Sequence, residues 1–129
     1  MKKGFTLVEL LATIVIIGLF TTVAYPLTIG IISESKNSAY NSQKKILEKA
    51  AKEWGVENSQ KLPLIEELNG KCIGETVKIS VSNLADGGFL TSSEIVNPKG
   101  GYFDGCIYIN CDCDGNFCKY DYIYKDFCD

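Results

Sequence analysis

Six cysteines are the most reactive side chains of this 129-residue chain. Cysteine thiols in a small domain either pair as disulfides or bind a metal such as zinc, and an even number in an exported domain favours disulfides. Six cysteines allow fifteen pairings, so their number leaves the connectivity open. They stand at Cys72, Cys106, Cys111, Cys113, Cys118 and Cys128.

Two runs of β-forming residues near the end of the chain predict a hairpin that carries several of these cysteines. The pair Asp114-Gly115 lies between the runs, and Asp-Gly is a strong hairpin signal. With these two residues as the turn, Cys111 faces Cys118, which favours a disulfide between them. A different loop would favour Cys113–Cys118 instead.

Zinc is the alternative partner for three of the thiols. Cys111, Cys113 and Cys118 have a spacing that could bind the metal in a reducing compartment. Disulfides dominate outside a membrane, where we expect this part of the chain to lie, so we predict disulfides. Cys128, which is one residue from the terminus, is expected to staple the tail to the body of the domain.

A calcium site of the EF-hand kind is a second metal hypothesis for the hairpin. Its loop positions would be filled by Asn110, Asp112, Asp114, Asn116 and Asp121, with Gly115 at the turn. The first ligand is Asn where the pattern has Asp, the last is Asp where it has Glu, and cysteines interrupt the run. We therefore interpret these residues as polar turn residues that face water, and we predict no metal and no cofactor.

The composition also argues against an enzyme and against a nucleic-acid-binding protein. The chain has no His, which removes the commonest general base at neutral pH, and it shows no nucleophile–base constellation. Its formal net charge of -3 becomes -5 if Lys2 and Lys3 are lost, whereas phosphate binding requires positive charge.

The remaining chemically notable residue is Glu9, which lies inside an apolar stretch from Phe5 to Ile32. About 20 apolar residues span a bilayer, so this stretch is long enough. A carboxylate within a bilayer costs roughly 2.5–3.5 kcal/mol on insertion scales and usually has a functional partner. Lys2 and Lys3 precede the stretch, so the N-terminus should stay cytoplasmic and the chain after Ile32 should lie outside.

These residues resemble the processing and assembly motif of the type IV pilin and pseudopilin superfamily, here Gly4-Phe5-Thr6-Leu7-Val8-Glu9. The resemblance implies cleavage after Gly4 by prepilin peptidase and N-methylation of Phe5. It also implies that Glu9 meets the Phe5 amine of a neighbouring subunit during assembly, and that Pro26 bends the long helix. A second stretch, residues 81–101, resembles pilin-like proteins of Gram-positive bacteria.

The pattern along the chain predicts an α+β fold, with a long N-terminal helix packed on a small C-terminal antiparallel sheet and stapled by disulfides. We divide it into a leader (1–4), a transmembrane and assembly helix (5–32), its amphipathic continuation (33–57) and an extracellular globular domain (58–129). The amphipathic part has its apolar positions at spacings of three and four. They are Ala39, Ile46, Leu47, Ala50, Ala51 and Trp54.

Shorter elements are predicted within the globular domain. Pro63 could open a short helix over residues 63–68, because proline fits the first turn of a helix. Alternation over residues 76–81 favours a strand, and residues 82–90 read as one helical turn closed by glycine.

Together these features predict a pilin-like structural subunit that is assembled into a surface filament through its N-terminal helix. Its expected partners are identical or related pilin subunits, prepilin peptidase, the pilus assembly platform and the membrane. It would be a single-pass membrane protein before assembly and part of an extracellular filament afterwards. The alternatives are a pseudopilin of a type II secretion or DNA-uptake machine, and a membrane-anchored, disulfide-rich binding domain that never polymerises.

Overall fold

The structure, a computed structural model, describes residues 4–66 and 70–128. The chain divides into two compact units, Met1–Asn37 and Ser38–Asp129. Lys2 and Lys3, which are expected to determine the membrane orientation, lie outside the described residues.

Helix α1 extends from Leu7 to Glu57 and joins the two predicted helical segments into one 51-residue helix. Its most apolar 18-residue window has a mean hydropathy of 2.3, so by length and composition it could cross a membrane. Four threonine hydroxyls in this part donate to backbone carbonyls three or four residues earlier, which satisfies their hydrogen bonds without water. They belong to Thr13, Thr21, Thr22 and Thr28.

Pro26 lies inside α1. Proline has no N–H, so the Thr22 carbonyl four residues earlier loses its helical partner. The bend that this predicts in the helix stays a prediction.

The second unit contains two small antiparallel sheets. A two-stranded sheet pairs β1 (Leu64–Glu66) with β2 (Lys71–Ile73). A three-stranded sheet has the order β3–β4–β5, and its strands are Val77–Ser80, Cys106–Asp114 and Phe117–Lys125. A 3₁₀ turn (Ser59–Lys61) follows α1, and helix α2 (Val81–Asp86) follows β3. The predicted α+β class is confirmed.

The short helix predicted over residues 63–68 is wrong in its described part, because residues 64–66 form strand β1. Tertiary contacts override the local signal. The Tyr120 hydroxyl donates to the Pro63 carbonyl at 2.5 Å, and Ile65 pairs with Cys72, which is tied to the larger sheet by a disulfide.

Helix α2 lies within the stretch that was predicted to form one helical turn closed by glycine. The Ser80 hydroxyl accepts a hydrogen bond from the Asn83 N–H at 3.2 Å, which is a standard N-cap. Gly87 follows the last helical residue, and Val81 and Leu84 turn inward to the core.

The core forms between α1 and the three-stranded sheet. Leu47 and Ala51 of the amphipathic stripe are fully buried, and Trp54 packs against the core, as that pattern predicted. The stripe is narrower than predicted, because Ala39 is exposed and Ile46 is 37 % exposed. The small residues allow the helix to approach the sheet closely, since a Cβ added at Gly55 would lie 3.0 Å from the Tyr122 hydroxyl oxygen.

One face of the β4–β5 hairpin supplies the opposite wall of this core. The paired residues along it, from its base to the turn, are Ile107 with Tyr124, Ile109 with Tyr122, Cys111 with Tyr120 and Cys113 with Cys118. Helix α1 also protects the outer edge of β5, because the Glu48 carboxylate accepts the Tyr124 backbone N–H at 3.3 Å.

Tyr40 joins α1 to the C-terminal tail. Its hydroxyl donates to the Asp126 carboxylate at 2.9 Å, and its ring packs on Phe103 with centroids 5.5 Å apart. The Lys99 ammonium lies 4.2 Å from the ring centroid, within the range of a cation–π interaction. These contacts hold the tail beside the first turns of α1 in this unit.

Gly105 is a position where a side chain should destabilise this unit strongly. An added Cβ would overlap the Lys125 carbonyl oxygen and lie 2.8 Å from the Tyr124 hydroxyl oxygen. We expect Gly105→Ala to destabilise the unit by about 3 kcal/mol. Trp54 is the chain's one tryptophan, so its fluorescence during denaturant unfolding measures this.

The matched control is Gly115→Ala, because nothing lies within 4 Å of a Cβ there and only the backbone conformation, at φ +63°, is strained. It should cost about 1 kcal/mol. If the two variants lost the same free energy of unfolding, the Gly105 site would have room for a methyl group.

Alkaline pH should destabilise the second unit through Tyr124. The pKa of this hydroxyl is raised from 10.0 to about 12, chiefly by burial, with a smaller increase from the nearby Asp126 carboxylate; a hydrogen bond from the Gly105 backbone opposes the shift. Because the folded-state pKa lies above the unfolded value, the contribution is complete below pH 10 and is lost as pH rises from 10 through 12. Unfolding monitored by Trp54 fluorescence should show this loss. The loss of stability between pH 10 and pH 12 should be smaller in Tyr124→Phe. The control variant Tyr102→Phe changes a residue that is 68 % exposed, and it should lose as much stability as the wild type.

Candidate functional site

The first functional region is the start of α1, where Thr6 and Glu9 form a capping box. The Thr6 backbone N–H donates to Glu9 Oε2 at 2.9 Å, and the Thr6 hydroxyl donates to the same oxygen at 3.2 Å. In return, the Glu9 backbone N–H reaches Thr6 Oγ1 at 3.3 Å. Because the first N–H groups of a helix lack helical partners, this reciprocal arrangement satisfies two of them.

The capping box gives Glu9 a local role that the interpretation of the sequence missed. A carboxylate in the first turn interacts favourably with the positive end of the helix dipole. Within lipid, no water is available to bond the free N–H groups at the helix start. The hydrogen bonds of the capping box therefore stabilise the helix more there than they would at a surface exposed to water. The signal was present, because Thr followed three residues later by Glu before an apolar run is the capping-box signature.

The Gly4–Phe5 peptide bond lies before the helix, in a segment without regular structure. The Phe5 side chain is 85 % exposed, and nothing lies within 4 Å of a Cβ added at Gly4. This bond is therefore sterically accessible in the described chain. Cleavage there stays a prediction.

The second chemically notable region is the set of disulfides, which joins all six cysteines. The pairs are Cys72–Cys111, Cys106–Cys128 and Cys113–Cys118. The first pair ties the small sheet to the larger one, the second ties the tail to the base of β4, and the third closes the hairpin near its turn.

The predicted pairing of Cys111 with Cys118 is wrong, and the alternative with Cys113 is the one present. The reason is the position of the turn. Asp114 pairs with Phe117 as the last residue of β4, so Gly115 and Asn116 form the turn. Gly115 adopts the left-handed conformation at φ +63°, which suits glycine. This register places Cys113 opposite Cys118.

The EF-hand arrangement considered for calcium is also wrong. Its residues lie along a hairpin, where Asn110 pairs with Asp121 and Asp112 pairs with Lys119. The Lys119 ammonium lies 3.5 Å from an Asp121 carboxylate oxygen. An EF-hand loop wraps its ligands around one ion between two helices, which two extended strands cannot do.

Comparison with known proteins identifies the N-terminal region. Residues 1–25 match the family model of the prokaryotic N-terminal methylation motif. No curated protein and no solved structure matches the chain significantly. The match covers Gly4, Phe5 and Glu9, and it confirms the interpretation of this region as that of a type IV pilin or pseudopilin. The motif points to a structural subunit that is processed by prepilin peptidase.

Removing the cap should loosen the first turn of α1. Thr6→Val deletes the hydroxyl of the capping box, which should cost about 1 kcal/mol and speed amide exchange in the first turn by about fivefold. Hydrogen exchange of the full, uncleaved chain in detergent micelles measures this.

Thr13→Val is the matched control, because it removes a hydroxyl that donates to the Leu10 carbonyl at 2.7 Å inside the same helix. It should leave exchange in the first turn unchanged. If both variants exchange alike there, Thr6 does not cap the helix.

Proposed function

We propose that the chain is a type IV pilin-like structural subunit, cleaved after Gly4 by prepilin peptidase and assembled into a surface filament through α1. The observation that carries this is the methylation motif at residues 1–25, which includes the start of an apolar segment of α1 whose side chains are exposed in the described chain. Before assembly the subunit would be a single-pass protein of the cytoplasmic membrane, and afterwards it would be part of an extracellular filament.

The exposure of the first part of α1 supports this assignment. The large hydrophobic side chains from Phe5 to Ile32 are 49–85 % exposed in the described chain. Burying one such side chain fully is worth about 1.5–3 kcal/mol, so water is a costly environment for this segment. Lipid satisfies it in the precursor, and the helices of neighbouring subunits would satisfy it in a filament.

Each residue of the motif has a proposed task. Gly4 is small, which suits the residue before the cut, and Lys2 and Lys3 would keep the leader on the cytoplasmic side where the peptidase acts. Cleavage creates an amine on Phe5, which would be methylated. Pro26 would adjust the path of the helix where it packs against neighbours.

Glu9 is proposed to pair with the Phe5 amine of a neighbouring subunit. The two described bonds from Thr6 both end on Oε2, whereas an ionised carboxylate can accept about four hydrogen bonds. Oε1 can therefore accept an amine while the cap remains in place. In a low-dielectric surrounding the two opposite charges attract strongly, and either one left alone is penalised.

A pseudopilin of a type II secretion or DNA-uptake machine is the second candidate, since the methylation motif is common to both kinds of subunit. In this case the chain would be processed in the same way. Shearing cells separates the two candidates, because a pilin is released with surface fibres and a pseudopilin remains with the cell envelope.

Glu9→Gln tests the charge apart from the cap. Glutamine can still accept the Thr6 N–H, as either Glu or Gln completes a capping box, but it carries no charge. We expect the variant to be cleaved and to accumulate in the membrane, while its amount in sheared filaments falls at least about tenfold. Immunoblots of the membrane and sheared fractions, with the variant as the sole copy of the chain, measure both.

Two further variants complete the test. Thr6→Val keeps the charge and weakens the cap, so it should enter filaments better than Glu9→Gln. Gly4→Leu should leave a precursor heavier by the mass of residues 1–4. If Glu9→Gln entered filaments as efficiently as the wild type, the proposed charge pairing would be wrong. If Gly4→Leu were cleaved normally, the proposed processing site would be wrong.

A further inference from the structure

Four of the six cysteines meet at the turn end of the β4–β5 hairpin. Cys111 and Cys113 are two residues apart on β4, so both lie on the face that lines the core. Cys118 lies opposite Cys113 on β5, and Cys72 reaches the same place from β2. We call these four residues the sulfur cluster.

The two disulfides of the sulfur cluster lie in contact with each other. The Sγ atoms of Cys72 and Cys113, which belong to different disulfides, are 3.2 Å apart. The Sγ atoms of Cys72, Cys113 and Cys118 all lie within 4.8 Å of one another, and the sulfur of Cys111 is bonded to that of Cys72. The fold therefore gathers four sulfur atoms around one point, which two independent disulfides do not require.

We propose that the sulfur cluster, when its two disulfides are reduced, binds one thiophilic divalent cation such as Zn²⁺ through four thiolates. Tetrahedral zinc has Zn–S bonds of about 2.3 Å, which places its sulfur ligands about 3.8 Å apart. The Sγ atoms of Cys72 and Cys113 are 3.2 Å apart in the oxidised chain, about 0.6 Å less than this value. The two bonded sulfur pairs lie much closer together, so reduction must let the sulfur atoms of each pair separate before an ion can occupy the centre of the cluster.

The position of the cluster favours such a site. All four cysteines are half-buried, so a reductant or an ion can reach them from the solvent, while the fold still restricts their positions. Three strands of two sheets supply the ligands, and the hairpin register holds three of them without help from the metal. A site that the fold largely pre-forms loses little conformational entropy on binding.

The metal-bound and the disulfide-bonded forms would interconvert by thiol–disulfide exchange. Each disulfide accepts two electrons and two protons from a dithiol reductant, which leaves as its own disulfide. The cation then displaces the four thiol protons as the four Zn–S bonds form. A newly made chain in a reducing cytoplasm already has its thiols, so the metal-bound form needs no reductant there. After export, two equivalents of a disulfide oxidant would each accept two electrons from a pair of thiolates and two protons from water and leave as dithiols, while the two disulfides form and the ion is released. This proposal is independent of filament assembly.

Cobalt titration of the full chain in detergent tests the site. The chain is reduced with a dithiol, which is then removed under inert gas, and Co²⁺ is added. We expect one Co²⁺ per chain, with the visible bands and the sulfur-to-cobalt charge-transfer absorption of a tetrahedral thiolate site. Added Zn²⁺ should displace the cobalt, and the oxidised chain should show no such bands.

Two matched double variants locate the site. Cys113→Ser/Cys118→Ser removes half of the sulfur cluster and should weaken Co²⁺ binding at least about tenfold. Cys106→Ser/Cys128→Ser removes the same number of thiols from the base of β4 and the tail, and should leave binding unchanged. Thermal unfolding gives a second readout, because Zn²⁺ should raise the Tm of the reduced wild type and of the second variant only.

A reduced wild-type chain that shows no thiolate–cobalt absorption excludes the site. So does equal binding by the two double variants, which would mean that the ion binds thiols without regard to the fold. A folded reduced chain whose Tm does not respond to Zn²⁺ would likewise contradict it.

Discussion

The register of the β4–β5 hairpin is the constraint on which the second unit depends. Gly115 turns the chain in the left-handed conformation, and from there each residue of β4 has a defined partner on β5. Because side chains alternate between the faces of a strand, a slip by one residue would move Ile107 and Ile109 from the core to the opposite face. The same slip would separate Cys113 from Cys118. Core packing and disulfide pairing thus depend on one turn.

The first unit has the opposite character, because its described residues, 4–37, form no buried core. Its large apolar side chains are exposed, and its threonine hydroxyls are satisfied within the helix. The unit is thus adapted to surroundings that offer apolar contact and few hydrogen bonds, as lipid and packed helices both do. The second unit has the features of a domain that is stable in water, because it has a buried apolar core and three disulfides.

The sequence allowed the elements with strong periodicity or motifs to be predicted, but it did not reveal the pairings that depend on contacts distant in the chain. The long helix, strand β3 and helix α2 follow from local pattern, and the methylation motif from six residues. Strand β1 was missed because Pro63 suits a helix start, whereas Tyr120 and the Cys72 disulfide hold the segment extended. Cys111–Cys118 was favoured over Cys113–Cys118 because Asp114-Gly115 was taken as the turn, while Asp114 in fact belongs to β4.

Glu9 illustrates how one residue can satisfy a local and an intermolecular demand. A bare carboxylate in lipid is costly, but a carboxylate that accepts two hydrogen bonds at the positive end of a helix is less so. The cap therefore lowers the cost of keeping a charge in the membrane without neutralising it. A neutral cap such as Gln would still satisfy the Thr6 N–H, although without the favourable interaction of a charge with the helix dipole, and it would offer no charge to an incoming amine. The charge of Glu9, which Gln would lack, thus serves the intermolecular contact. The hydrogen bonds from Thr6 lower the cost of that charge in the isolated subunit.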